Sequence, residues 1–295
     1  MRKAAVALLC LCAAAAQAAQ AAPARVVSVN LCTDQLAMLL AAPGQLVSVS
    51  TWAARPEASN MADQASALHL NGASAEEVFA LAPDLVLASD FTRADTVALL
   101  RRLGLRVAVF PFARRLEDIP EQLSRMGALL GREAEAAVTV ASFEAALAGA
   151  RARAAGLPAR QAAYYYPNTY TSGADTLADA VLRAAGLQNA AAAMGLSGAA
   201  RLPLESLVRA APMVIETRHI SAGRRGRAYE SLAHPALAAL RARGGATVEE
   251  RRQVCGAPFV VAAIDALIDA RAGETPGAAI ASPAQAPLAS PPARP

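Results

Sequence analysis

Apolar positions along this chain alternate between short branched runs and helical spacing. "ARVVSVN" (24–30) predicts a buried strand, and "CTDQLAMLLA" after it predicts a helix with Thr33 or Asp34 placed to cap it. "PGQLVSVS" (43–50) reads as a turn and a second strand. "SAEEVFALA" predicts a helix with Ser74 and Glu77 at capping-box spacing; Pro83 ends it, and "DLVLAS" is the next strand. "TRADTVALLRRLG" adds a helix closed by Gly104, and "LRVAVFPF" a further strand. Strand and helix in turn predict a parallel-sheet α/β unit.

Between 116 and about 156 no strand pattern occurs. Two helices are predicted there, and the second, of about 25 residues, would reach roughly 35 Å, a domain diameter. The alternation then restarts. "RQAAYYYP" and "MVIETR" read as strands and "TSGADTLADAVLRAAG" as a turn and helix. "PLESLVRA", "YESLAHPALAALRARGG" and "PFVVAAIDALIDARAG" read as helices, and "ATVEERRQV" as an edge strand. Helix, proline and strand are spelled twice, with Glu76 seven residues before Pro83 and Glu205 seven before Pro212. The predicted organisation is therefore an α/β chain of two lobes of similar layout, 25–130 and 158–272, joined by a long helix at 131–157.

The ends read differently. Arg2 and Lys3, an apolar run too short for a bilayer, and small residues up to position 24 predict a cleaved secretory signal over 1–21. Residues 273–295 hold six prolines in 23 positions and are expected to be disordered. The net charge of +4 falls to +2 without Arg2 and Lys3, and gives no argument for a nucleic-acid partner. Cys10 and Cys12 leave with the leader. Cys32 and Cys255 are then candidates for one disulfide in an oxidising compartment, the alternative being two buried thiols.

Ligands of doubly wound sheets sit beyond the carboxyl ends of the strands. That rule selects Asn30 to Thr33, Thr51 and Trp52, then His69 and Asn71, then Ser89, Asp90 and Phe91. In the second half it selects Tyr164 to Tyr166, Tyr170, and the stretch from Thr217 to Arg227. Strand alternation should bury one or two of the three tyrosines, leaving Tyr166 as the better cleft candidate. Arg218, Arg224 and Arg225 lie in the most basic stretch, where guanidinium groups could grip an anionic ligand; an ordinary solvated loop is the alternative.

At this point "RVVSVNLCTDQLAMLLA", "ASAEEVFALAPDLVLAS", "YTSGADTLADAVLRAAGLQN" and "LPLESLVRAAPMVIE" together resemble the periplasmic substrate-binding proteins of ABC importers for iron chelates and vitamin B12. The resemblance runs from about 25 to 272. It implies two Rossmann-like lobes on a stiff bridging helix, a ligand in the cleft between them, and no catalysis or resident cofactor. It implies a monomer in the periplasm that meets a permease dimer of the inner membrane. Glu76 and Glu205 match the family's acids that meet permease arginines, one from each lobe, though either also suits a helix N-terminus. Trp52 and Tyr170 fall where the family places ligand-stacking aromatics.

A ferric siderophore leads as the expected ligand. Cobalamin follows, since Ser89 and Ala199 stand where corrinoid binders can carry large rings. Haem is third, with His69, His219, Tyr166 or Tyr170 as axial candidates. An exported α/β enzyme or a chelate sensor on the same fold is the rival class. Against an enzyme, the sequence has no G-x-S-x-G after a strand, no P-loop and no H-x-x-x-H.

Overall fold

The computed structural model describes residues 22–218 and 226–273, except the side chain of Arg218. The expected signal at 1–21, residues His219, Arg224 and Arg225, and the tail after Gly273 lie outside the described residues.

Lobe one winds through β1 (Val26–Ser28), α1 (Leu31–Leu40), β2 (Leu46–Ser50), α2 (Ala62–Ser66), β3 (His69–Asn71), α3 (Ala75–Ala80), β4 (Leu85–Ser89), α4 (Ala94–Arg102) and β5 (Val107–Phe110) to α5 (Asp118–Leu130). Its five strands are all parallel in the order β3-β2-β1-β4-β5, so the chain reverses direction at β1 and opens a crevice there. A single helix, α6 (Glu133–Ala155), leaves this lobe. Its 23 residues span about 35 Å.

Lobe two contains β6 (Arg160–Tyr164), β7 (Tyr170–Ser172), α7 (Leu177–Ala184), β8 (Leu187–Asn189), α8 (Ala190–Ala193), β9 (Ala199–Arg201), α9 (Leu204–Ala210), β10 (Met213–Arg218), α10 (Pro235–Ala242), β11 (Gly245–Glu249) and α11 (Val260–Ala272). Four strands form a second parallel sheet, β11-β10-β6-β8, and β7 pairs antiparallel with β9. β11 is an edge strand.

Strand alternation sorts side chains between two buried faces, as parallel sheets require. Val26, Ala162 and Ile215 point into one cluster that runs through Phe143, Leu147 and Ala150 of α6 and joins both lobes. Their neighbours Val27, Ala163 and Val214 close the outer face of each lobe separately. The bridging helix is thus part of the core of both halves, which makes it stiff. At Gly127 of α5 a Cβ would run into Ala136 of α6, so that glycine permits the close approach of the two helices.

The helix–proline–strand repeat has one geometry in both lobes. After α3 the chain passes Leu81 to Ala82, and after α9 it passes directly to Ala211; both alanines are in the left-handed region with φ 46, directly ahead of Pro83 and Pro212. Two expectations change. The helix read through "YESLAHPALAALRARGG" is a 3-10 turn at Arg227–Ala233 followed by α10, because Pro235 sits at its first position and His234 Nδ1 accepts from Ala236 N at 3.2 Å. α1 is capped neither by Thr33 nor by Asp34. Asn30, extended at φ −148, accepts from Cys32 N instead, and both expected caps are buried in the first turn.

Candidate functional site

The strand ends of lobe one carry a polar floor. Asn71 is fully buried: its Nδ2 donates to Ser28 O and Ser48 Oγ, and its Oδ1 accepts from Ala73 N. Asp34 is buried beside it and accepts from Ser50 N at 3.2 Å and Ser50 Oγ at 2.5 Å. Complete burial pushes the Asp34 carboxyl up to about 6, with hydrogen bonds from Ser28 and Ser50 offsetting part of that rise. Ser89 is also buried, and its Oγ accepts from Phe91 N. Asn71 and Ser89 therefore line the cleft, but these hydrogen bonds hold them to the floor itself.

Above the floor stand Trp52 and Phe91, 44% and 72% exposed. The Arg55 guanidinium lies over the Trp52 ring at 4.1 Å, and Phe91 meets Phe112 edge-on at 5.1 Å. Two cavities open here. One of about 380 Å³ has a mixed lining, in which Asn30, Thr51, Asn71, Arg93 and Thr96 supply polar groups and Trp52 an aromatic face. A second of about 290 Å³ is mostly apolar and reaches under Phe91 to the lobe-two segment at Val254 and Gly256. A larger cavity of about 530 Å³ runs along the flank of α6, where α7 ends and α5 begins. Its Arg115, Arg151 and Arg183 are paired with Asp118, Glu117 and Asp179, and it lies away from the aromatic residues.

In lobe two, Tyr164 and Tyr165 are buried and Tyr166 is half-buried, stacked on Tyr164 at 5.8 Å with its hydroxyl 3.2 Å from Ser172 Oγ. Burial holds the Tyr166 phenol above its usual range despite the Ser172 hydrogen bond, so it stays protonated at neutral pH. From there the chain turns tightly. Tyr166 N donates to Tyr170 O at 2.8 Å, and Asn168 and Thr169 between them both have positive φ. For a β-branched residue that is strained backbone, of order 1–3 kcal/mol, held at the point where Tyr170 is presented. Tyr170 is 40% exposed, and Arg201, its cross-strand partner on β9, carries a guanidinium 5.1 Å from the ring centroid.

Each lobe thus presents an aromatic ring with a guanidinium stacked on it beyond its strand ends. Sequence reading placed Trp52 and Tyr170 there and missed both arginines, together with Arg93 and Phe112. Arg55 stands three residues after Trp52, a spacing that signals a turn contact. Arg201 meets Tyr170 only through the pairing of two three-residue strands, which no local pattern marks. Arg218 ends β10, and its side chain, like Arg224 and Arg225, lies outside the described residues. His69 opens β3, two residues short of its carboxyl end, and its Nδ1 meets Ser48 Oγ at 3.2 Å. It is therefore set back from the rim. Among the described residues no three metal-ligating side chains converge.

The lobes are tied directly at the cleft. Cys32 in the first turn of α1 is disulfide-bonded to Cys255 ahead of α11. Asn60 Nδ2 donates to Arg251 O, and Arg251 Nη1 donates to Pro56 O at 3.2 Å. On the outer surface, Glu76 and Glu205 are exposed in the first turns of α3 and α9. Glu77, by contrast, is used locally: Ser74 caps its backbone N–H and its carboxylate accepts from Gly72 N at 2.7 Å.

Two Rossmann-like lobes on one long helix, each with aromatic residues beyond its strand ends, define a bilobal binding-protein fold. The chain belongs to the periplasmic binding protein family, which it matches over residues 26–243. A cobalamin-binding protein of Halobacterium salinarum is 31% identical over 201 residues, 66% of this chain and 54% of that protein, so the match spans about half of the relative. The periplasmic haem-binding protein RhuT of Roseiflexus sp. RS-1 superposes with a TM-score of 0.69 at 22% identity, covering 84% of this chain and 98% of that one. A protein of the ABC-type Fe3+-hydroxamate transport system of Saccharomonospora viridis superposes at 0.65 and 22% identity, over 85% and 94%. These two likenesses define the fold. No helix among the described residues is long and apolar enough to cross a membrane.

Proposed function

We propose that the protein is the periplasmic solute-binding component of an ABC importer, and that it holds a metal chelate in the cleft between its lobes and delivers it to a membrane permease. It performs no catalysis and works as a monomer. The observation that carries the reading is the matched pair of stacks, Trp52 with Arg55 and Tyr170 with Arg201, one on each lobe. The two rings can pack on the carbon framework of a chelate, while Arg55, Arg201 and, in the first cavity, Arg93 can donate to its partly negative donor oxygens. The metal arrives already wrapped in its own donor atoms. A ferric siderophore satisfies these demands best, with Asn30, Trp52, Phe91, Tyr166, Tyr170 and the basic stretch at Arg218, Arg224 and Arg225 around it.

Cobalamin is the second reading, favoured by the Halobacterium salinarum relative. Delivery then falls to Glu76 and Glu205, whose helices each lead through a left-handed alanine into a proline and present one acid from each lobe to two basic pockets of a permease dimer. Calorimetric titration of the purified protein with a ferric trihydroxamate, cyanocobalamin and haemin tests the ligand class. Stoichiometric binding of the ferric chelate, with the other two weaker, is expected. Tightest binding of cyanocobalamin selects the second reading, and binding of none of the three contradicts both.

A further inference from the structure

We infer that the apolar cavity beneath Phe91 is a side pocket for a hydrocarbon or aryl arm of the ligand, so that the cleft selects chelates carrying such a substituent. The inference rests on the chelate reading of the cleft. The cavity of about 290 Å³ has the room of roughly ten waters. Its walls are Leu36, Phe110, Phe112 and Ala113 of lobe one, and its roof is Val254 and Gly256 of lobe two. Most polar side-chain atoms that reach it are already engaged, Asn30 Oδ1 by Cys32 N among them. Thr33 Oγ1 bonds Ser28 Oγ and Asn30 O, Ser89 Oγ accepts from Phe91 N, and Gln122 Nε2 donates to Pro111 O. Water there finds few partners, and an apolar cavity of this size takes an apolar guest.

Continuity with the first cavity fixes what that guest is attached to. The two chambers share Asn30, Leu31 and Phe91, so one molecule can put its chelate head in one and its arm in the other. Phe91 stands 72% exposed at the junction, and an arm passing beneath it would cover its bare face. The pocket also has a fixed depth. Its roof follows Cys255, which is bonded to Cys32 on the wall, and Gly256 is pressed so closely on Ala113 that a Cβ would collide with it. Selection by arm length follows. Each methylene accommodated is worth about fourfold in affinity until the floor is reached.

Two titrations test this. Hexan-1-ol is first added to the oxidised protein while the methyl NMR signals of Leu36 and Ala113 are followed. Saturable shifts are expected, and they should vanish in Val254→Phe and Phe112→Trp, two independent variants that fill the space. No shift in the unaltered protein overturns the pocket. A ferric trihydroxamate capped with N-acetyl is then compared with the same chelate capped with N-hexanoyl. At least tenfold tighter binding of the hexanoyl form is expected, collapsing to within twofold in Val254→Phe while binding of the acetyl form is unaffected there. Equal affinities, or a preference that survives filling, overturn the inference. Hexanol binding with neither chelate bound overturns the chelate reading and leaves the pocket as an independent apolar site.

Discussion

Cys32 and Cys255 are bonded across 223 residues of sequence and join the first turn of α1 to the segment ahead of α11, at the cleft itself. A loop of that length constrains the unfolded chain strongly, by on the order of 5 kcal/mol in the chain-entropy account. The double variant Cys32→Ala/Cys255→Ala is therefore expected to lose about 2–5 kcal/mol in urea unfolding. Reduction of the unaltered protein should have the same effect. An unchanged midpoint would mean that the lobes hold their arrangement through the core around α6 alone.

Asp34 gives the fold a pH signature. Its folded value of about 6 lies above the usual carboxylate value near 3.9, so the group's contribution to stability is present below about pH 4 and is lost as pH rises through about 6. The shift corresponds to about 3 kcal/mol. Asp34→Asn should be more stable relative to the parent at pH 7.5 than at pH 4 by an amount of that order, read from paired urea titrations at the two pH values. A difference that does not change with pH would contradict the burial argument.

Much of this architecture was legible in the sequence. Alternating branched runs and helical spacing predict two parallel-sheet lobes, and the spacing from Glu76 to Pro83 and from Glu205 to Pro212 predicts the repeat that Ala82 and Ala211 complete. What the sequence hid was short or distant. β3, β7, β8 and β9 are three residues each, too brief to show a period, and β7–β9 is what brings Arg201 to Tyr170. Asn30 was read as a ligand donor, yet its side chain also accepts the cap hydrogen bond of α1. Asp34 was read as a cap, and only the packing of Ser28 and Ser50 around it reveals a buried carboxyl.

Arg271 is another residue whose role only packing shows. Buried on α11, it donates to the carbonyl oxygens of Ala154, Leu157 and Pro158 at the end of α6 and of Ala185 at the end of α7. A cation there complements the negative ends of both helices and donates to carbonyls at and just beyond their last turns, of which Ala154 O also accepts from Leu157 N. Arg271→Met should cost about 3–5 kcal/mol, because it leaves several buried acceptors bare. Thermal unfolding reads this directly, and a loss under 1 kcal/mol would mean that water replaces the guanidinium.

Docking separates from binding. If the proposed docking holds, Glu76→Arg and Glu205→Arg should each lower cellular uptake of the chelate at least tenfold, since a reversed charge would meet a basic pocket of the permease. Affinity of the purified protein for the chelate should stay within twofold. Uptake that survives both reversals would remove these acids from the permease contact.

The central claim is that the ligand lies between the two aromatic–guanidinium stacks, and Trp52 is the chain's single tryptophan. Tryptophan fluorescence followed during titration with a ferric trihydroxamate tests it most directly. Saturable quenching at one equivalent is expected, weakened at least tenfold in Tyr170→Ala, whose ring stands on the opposite lobe. Binding detected by calorimetry without any change in Trp52 emission, or with the same affinity in Tyr170→Ala, would place the ligand elsewhere and contradict the account.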